Sequence, residues 1–333
     1  IEGDATTFAT LKKASVRKAD LFIAVVHEES TNIISAILAK QLGAKKSIAR
    51  IDNNEYLEPH NKEIVIEMGI DYLFYPESIA AKEIITLLGH TSTSEFVEFS
   101  GGRLALAVFK IDSSSTLVGK TLIEATTDRN HLQYRTIAIM RDGQTIIPRG
   151  DDVFTDGDTL YVITNRESVK RVLDYTGKAN VDIKNMKILG GSRIGIGLAR
   201  ELQDEVDVKM NEYNEEKAYK LAELLDNTLI IHEDGRNIDA MIDEGLENMD
   251  AFVAVTGRSE TNILAAMLAK KVGVKTAIAE VENLTFINLA ESAGIDTIVN
   301  KKLTTESNIF RLTMKTDMQA IKYITGCVAE VLE

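Results

Sequence analysis

Asp20–Ile51 reads DLFIAVVHEESTNIISAILAKQLGAKKSIARI, and 230 positions further on Asp250–Val281 reads DAFVAVTGRSETNILAAMLAKKVGVKTAIAEV. Fifteen of these thirty-two positions are identical, where average residue usage gives about two. One unit is therefore present twice. The match resumes, after a five-residue slip, at Gly69-Ile70-Asp71 and Gly294-Ile295-Asp296. In the first copy the pattern predicts a strand over Leu21–Val26, a helix over Thr31–Leu42, a strand over Ser47–Ile51, a helix over Pro59–Met68 and a strand over Tyr72–Tyr75. Gly43 stands where a helix C-cap glycine belongs. The strands are apolar throughout rather than alternating, which implies burial on both faces and hence a parallel sheet covered by helices.

Only the second copy is preceded by a glycine-rich turn. Lys187–Gly195 (KILGGSRIG) reads as a short buried strand that opens through Gly190-Gly191-Ser192-x-x-Gly195 into a helix. A second strand-like stretch, Val206–Asn211, ends at Glu212, seventeen residues past Gly195. Strand, glycine turn, helix, strand and acid in that order form the fingerprint of a dinucleotide-binding fold. Ile1 pairs with Ile231 and so lies beyond the point where a glycine turn of its own would stand. The expectation is that the first copy begins mid-domain, lacking about 45 residues that the second copy has.

Between the copies the pattern changes. Leu104–Ile111 is strand-like and Leu117–Ala125 is expected to start a short helix. Arg135–Met140 and Thr145–Ile147 flank Asp142-Gly143, a hairpin signal, and Asp156-Gly157-Asp158 precedes a strand over Thr159–Ile163. Asp-Gly between apolar runs is a strong short-range hairpin cue. The expected organisation is a first nucleotide domain over 1–92, a compact α+β module over 94–175, a polar linker over 176–185, a second nucleotide domain over 186–325, and the start of a second small module over 326–333. The fold class is α/β: two Rossmann-like parallel-sheet domains with a small α+β module between them.

Composition excludes several function classes. The net charge is −13 with basic residues dispersed among acids, which opposes nucleic-acid binding and direct adsorption to anionic lipid. The longest apolar runs are strand-sized, short of the roughly 20 residues that span a bilayer, and no signal-peptide pattern is present. Cys327 is the only cysteine, so no disulfide forms within the chain; this fits a reducing compartment. The five histidines, at 27, 60, 90, 131 and 232, form no H-x-x-x-H pair, and no metal site is expected.

The tandem of nucleotide domain, small module and nucleotide domain resembles the regulator-of-potassium-conductance family, and within it the peripheral subunits of Trk-type potassium uptake systems. The residues that carry the likeness are Gly3-Asp4-Ala5-Thr6, Ala19–Val25, Thr31-Asn32 and Ile48-Ala49-Arg50, with Leu117–Leu122 and Asp156–Val162 in the small module. The resemblance implies nucleotide binding without chemistry: NAD(H), or ATP and ADP in related Ktr subunits. It also implies assembly into a homo-oligomer, a dimer or higher ring, beneath a membrane potassium-conducting subunit. The chain is then cytoplasmic and peripheral on the inner face of the plasma membrane. Nucleotide occupancy gates transport on this reading. The rival reading is an NAD-dependent dehydrogenase with duplicated Rossmann domains.

The candidate cofactor contacts follow from the fingerprint and the resemblance together. Gly190, Ser192, Arg193, Ile194 and Gly195 form the turn and helix start that approach a pyrophosphate through backbone N–H groups. Ser192 takes the place of the usual second glycine, and its side chain is expected to crowd that approach and weaken the second site relative to the first. Glu212 is placed to accept the adenosine ribose hydroxyls, or is a solvated acid at a strand end. Asp234-Gly235 and Asp4-Ala5 occupy equivalent loops, either turn residues capping their own backbone or, by the resemblance, neighbours of adenine. Val25 and Thr31 in the first copy and Thr256 and Asn262 in the second follow matching strands. Thr31-Asn32 and Thr261-Asn262 also suit helix N-caps. Arg50, where the second copy has Glu280, is a basic residue that in this family reaches phosphate. Tyr213-x-x-x-Lys217 imitates a short-chain dehydrogenase pair, but it follows the second strand immediately. Tyr213 is therefore read as at most an adenine neighbour, and Lys217 as a solvated helix residue.

Overall fold

A computed structural model describes residues 1–99, 103–127, 133–176, 181–313, 321–323 and 330–332. Residues 177–180 of the expected linker, His131 and Cys327 lie outside the described residues. The chain divides into two compact units, 1–80 and 81–333.

The first unit runs α1 (Phe8–Lys13), β1 (Leu21–Ala24), α2 (Glu29–Gln41), β2 (Lys46–Arg50), α3 (Pro59–Glu67), β3 (Tyr72–Phe74) and the start of α4 (Pro76–Gly89). The three strands form a parallel sheet in the order β1-β2-β3, with Ile23 opposite Ile48 and Ile48 opposite Tyr72. Pro59 occupies the first turn of α3, where its missing N–H costs nothing and its fixed φ suits the helix. Ala24, Ala36, Ala49, Val65 and Ile70 form the core. Ile23 and Val25 are 39% and 52% exposed.

The second unit contains the small module and a full α/β domain. The module comprises β4 (Glu95–Phe99), β5 (Leu104–Lys110), α5 (Leu122–Thr127), β6 (Tyr134–Arg141), β7 (Gln144–Ile146), β8 (Thr159–Asn165) and α6 (Val169–Tyr175). Its antiparallel sheet has the order β4-β5-β8-β6-β7. Arg141 pairs with Gln144 across Asp142 (φ 51°) and Gly143 (φ 74°), a left-handed pair whose twist suits a tight hairpin. The helix expected from Leu117 begins only at Leu122. Thr121 and Glu124 form a reciprocal capping box there, Thr121 N–H donating to Glu124 Oε2 (2.7 Å) and Glu124 N–H to Thr121 Oγ1 (3.2 Å). Asp158 anchors the next strand. Its carboxylate, buried in the module, accepts from Arg141 Nε and Nη2 (2.7 and 2.8 Å) and from the Thr155 N–H and hydroxyl.

The α/β domain continues with β9 (Asn185–Leu189), α7 (Arg193–Leu202), β10 (Asp207–Glu212), α8 (Glu215–Leu224), β11 (Thr228–His232), α9 (Ile238–Asp243), β12 (Ala251–Ala254), α10 (Ser259–Val272), β13 (Thr276–Glu280), α11 (Ile287–Ser292), β14 (Thr297–Val299) and α12 (Lys301–Thr313). Six parallel strands lie in the order β11-β10-β9-β12-β13-β14, the doubly wound arrangement whose switch point falls between β9 and β12. Strands β12 and β13 are buried at every position, as central strands of a parallel sheet covered on both faces are. The first unit's β1-β2-β3 repeats β12-β13-β14, so the duplication corresponds to the second half of this sheet. An antiparallel pair, β15 (Ile321–Tyr323) with β16 (Glu330–Leu332), follows α12, as β4 and β5 follow α4. Among the described residues no helix is long and apolar enough to cross a membrane.

Candidate nucleotide-binding site

At the carboxyl end of β9 the chain turns through Gly190, whose φ is +107°. A Cβ there would stand 3.0 Å from the Thr256 nitrogen, so both conformation and space demand glycine. Gly195 serves a different contact. A Cβ on it would lie 2.2 Å from the Gly190 carbonyl oxygen, and its absence lets α7 settle directly on the turn. Ser192 is the N-cap of α7, its Oγ accepting from Gly195 N–H at 3.2 Å. The hydroxyl that the sequence placed against a pyrophosphate is thus engaged in satisfying one of the helix's unpaired amides.

Glu212, at the end of β10, is 3% exposed; a solvated acid at a strand end does not describe it. Its carboxylate accepts from Gly191 N–H (3.2 Å) and Asn214 N–H (3.0 Å) and pairs with Lys217 Nζ (2.9 Å). Burial alone would raise its pKa. The Asn214 N–H, the Lys217 ammonium and the Gly191 N–H outweigh burial and hold the carboxyl below the ordinary glutamate value. Lys217 was expected to be a solvated helix residue; it instead sits in the first turn of α8 with its ammonium on Glu212. Tyr213 projects beside it, 74% exposed.

The loop after β11 carries Asp234, which accepts from the Arg236 guanidinium (2.6 Å at closest) and from the Arg236 N–H (3.0 Å). These contacts pull its pKa down to about 2. Asp4 makes the same kind of turn, accepting from the Thr6 N–H (2.8 Å) and hydroxyl (2.7 Å), which lower its pKa. Both aspartates therefore bind their own loops. In Asp234 the bond also aims a cation at the cleft.

Gly190, Ser192, Glu212, Tyr213, Asp234, Gly235 and Thr256 line a single cleft of about 340 Å³ at the carboxyl ends of β9, β10 and β11. That volume lies at the lower end of ordinary ligand sites. Arg193, Ile194, Gly195 and Asn262 do not line it. Ile194 and Gly195 face the core, Arg193 is exposed on α7, and Asn262 is wholly buried.

Asn262 also departs from the N-cap expectation. The N-cap positions are Arg258 for α10 and Glu28 for α2, and the asparagines lie one turn inside. Asn262 accepts from Thr256 N–H (2.9 Å) and hydroxyl (2.6 Å) and donates to the Thr256 and Glu280 carbonyls (3.1 and 2.8 Å). Asn32 repeats this with Val26 and Arg50. Each amide clamps a strand-to-helix loop to the end of the next strand, so it shapes the cleft without touching it. In the first unit Thr31 hydrogen-bonds Glu28 (3.2 Å), and Arg50 Nη2 pairs with Asp52 (2.8 Å). Ala5 is half-buried beside Asp4.

Cleft residues that sequence reasoning missed include Arg236 and Arg258. The repeat held the signal: Arg236 stands opposite Thr6 and Arg258 opposite Glu28. The two copies differ in charge where the cleft lies.

Comparison with known proteins gives this geometry a lineage. The TrkA-N domain model matches residues 1–76 and again 186–301, and the TrkA-C domain model matches 106–177. The Trk system potassium uptake protein TrkA of Haemophilus influenzae is 28% identical over 335 residues, covering all of this chain and 73% of that protein. A TrkA homolog of Archaeoglobus fulgidus is 30% identical over 336 residues, all of this chain and 75% of its own length. Among solved structures, the GsuK channel bound to NAD superposes with a TM-score of 0.63 at 18% identity, over 93% of this chain and 54% of that one; at that identity the likeness speaks to fold. Two TrkA-N matches around one TrkA-C match, with relatives collinear over the whole chain, show that it belongs to the TrkA family of Trk-system potassium uptake proteins.

Proposed function

We propose that the chain is a nucleotide-sensing regulatory subunit of a potassium uptake system. Its second α/β domain, over residues 186–325, binds NAD(H), and occupancy biases the assembly that contacts a Trk-type membrane subunit on the cytoplasmic side. The observation that carries this reading is Glu212. It is buried, held ionised by two backbone amides and Lys217, and set in the cleft wall beside the glycine turn that follows β9. A carboxylate so placed accepts ribose hydroxyls and disfavours a 2′-phosphate. The NAD-bound neighbour of the same fold supports NAD(H) as the ligand. Relatives named as potassium uptake proteins support the transport context.

The Tyr213–Lys217 pair belongs to the ribose end of the cleft, where Lys217 is committed to Glu212, and this supports a binding role over hydride chemistry. Sensing requires that ligand bind two states of the assembly unequally. We further propose that the chain self-associates, at least as a homodimer.

Calorimetric titration with NADH, NAD⁺, ATP and ADP tests the ligand. Saturable NADH binding with NADPH disfavoured is expected. Absence of binding by all four nucleotides at millimolar concentration, or steady NADH turnover with carbonyl substrates, would overturn the reading. Light scattering tests the assembly, and a monomer at micromolar concentration would refute it.

A further inference from the structure

Lys187 stands at the centre of β9, between Lys209 on β10 and Phe252 on β12, and is fully buried. Its ammonium pairs with Glu244, the C-cap residue of α9. Glu244 and Lys209 are the charged groups whose fields act on it, and burial still draws the ammonium below its usual pKa. Taking that ammonium out of water therefore costs more than Glu244 restores. A buried pair of this kind adds little to stability over apolar side chains of the same volume. The first copy has Ala14 where Glu244 stands, so the shared scaffold closes without the pair.

What the pair supplies is position. Groups from two strands converge on Glu244: the Lys187 ammonium and Asn211 Nδ2 (3.2 Å) donate to its Oε2, and the Lys209 ammonium donates to its carbonyl at 3.3 Å. At that carbonyl a cation also meets the negative end of the helix dipole. The helix needs such fastening, because α9 has six residues, too few to hold a helix by themselves. The stretch that leads into α9 is the cleft loop. Glu233 N–H donates to the Glu212 carbonyl at 3.2 Å, Asp234 and Arg236 follow, and Gly235 lies so near the sheet that a Cβ would stand 1.9 Å from Leu189 Cδ1. Asn237 then caps α9, accepting from Ala240 N–H at 3.3 Å. Cleft loop and α9 are thus one continuous stretch, tied to the sheet at Glu233 and again at Glu244.

We infer that Glu244, held by Lys187 and Lys209, is a positioning residue that fixes α9 and, through it, the loop that presents Asp234 and Arg236 to the cleft. It touches no ligand. The inference rests on the nucleotide reading above only in taking that cleft as the binding site. Its physical content is that a pair contributing little to stability is kept where it orders a short helix beside the cleft.

Hydrogen exchange on the ligand-free whole chain, thermal melting and calorimetry with NADH test this in Lys187→Met combined with Glu244→Gln. That variant leaves no buried charge unpaired and keeps an acceptor for Asn211. The amides of residues 238–245 should exchange about tenfold or more faster than in wild type. The melting point should equal or exceed that of wild type, while NADH binds about tenfold more weakly because the loop must then be ordered on binding. Melting point and affinity falling together would make the pair a structural contact and overturn the positioning role. Unchanged exchange over 238–245, or unchanged NADH affinity, would overturn it as well. Should the double variant fail to fold, Lys209→Gln decides, since it leaves the buried pair in place: the same amides should exchange about threefold faster, and no change would overturn the inference. Failure of NADH to bind the wild-type chain would overturn the nucleotide reading, and the exchange rates would then judge the fixing of α9 alone.

Discussion

Replacing Glu212 by alanine removes a group with two roles, and the structure separates their sizes. The buried carboxylate accepts two backbone N–H groups at 3.0 and 3.2 Å and a lysine ammonium at 2.9 Å. Hydrogen bonds to a charged group contribute about 1.5–3 kcal/mol each. Lys217 is half-exposed and recovers water when its partner is lost, so its share is small. The longer Gly191 bond sits at the weak end of the range. Together the amides put the loss of stability at about 3 kcal/mol. Glu212→Gln keeps the shape and one acceptor, and should lose roughly half of that. Thermal melts by circular dichroism measure this loss, and titration with NADH below the melting transition measures the second role, a further tenfold or greater weakening in both variants. The pH dependence supplies an independent check. The folded-state pKa is lowered, so the stabilisation is fully present above the unfolded value of about 4.3 and is lost as pH falls through the lower folded value. Wild type and Glu212→Gln should differ most near neutrality and converge on acidification. A glutamine variant with wild-type stability and unchanged NADH affinity would refute the reasoning.

Gly195→Ala should destabilise the second α/β domain by about 1–3 kcal/mol, because the new methyl meets a backbone carbonyl that has no rotamer to adopt; a melting point within a degree of wild type would count against the packing argument. Asp158→Asn breaks a buried pair with Arg141, and a loss of about 3–5 kcal/mol from the small module is expected in denaturant titration. Burial pushes the Asp158 carboxyl up, but Arg141 and Thr155 bring it below the ordinary aspartate value, so this contribution is present above about pH 4 and disappears below it. Asn262→Leu leaves the Thr256 N–H and two carbonyls unpaired; a loss of about 3 kcal/mol together with weaker NADH binding is expected, and hydrogen exchange at Thr256 should accelerate.

The scaffold was legible because its signals are local. Uninterrupted apolar strands, Gly43 after α2, Pro59 opening α3 and Asp142-Gly143 each act within a few residues, and each lies where the sequence put it. The late start of α5 was also local: Thr121 and Glu124 form a capping box that a hydrophobic pattern beginning at Leu117 obscured. The cleft was less legible because its geometry is made between segments distant in sequence. No spacing rule places Lys217 on Glu212, since an α8 side chain reaches back to the strand before it only once the intervening turn is folded. Nor does one reveal that Asn262 ties its loop to Glu280, eighteen residues on. Side chains that satisfy buried backbone groups look, in sequence, the same as those that meet a ligand.

The two copies show how that ambiguity resolves. Asn32 and Asn262 make the same bonds in both, and Ser15 and Gly245 share a left-handed backbone at matching turns. Where the chain must close a loop onto a strand, the repeat holds the geometry constant. Among the positions that differ, some change charge: Thr6 against Arg236, Glu28 against Arg258, Arg50 against Glu280 and Ala14 against Glu244. Two of these four second-copy residues, Arg236 and Arg258, lie in the cleft wall. A duplicated scaffold can change its electrostatics without altering its packing, because charged groups at strand ends and loop tips contribute little to the core. The first copy has Arg50 tied to Asp52, and the second sets Arg236 and Arg258 around an ionised Glu212. The halves thus present different charge patterns on one backbone, and a nucleotide would be held by different contacts in each, with unequal affinity as the expected consequence.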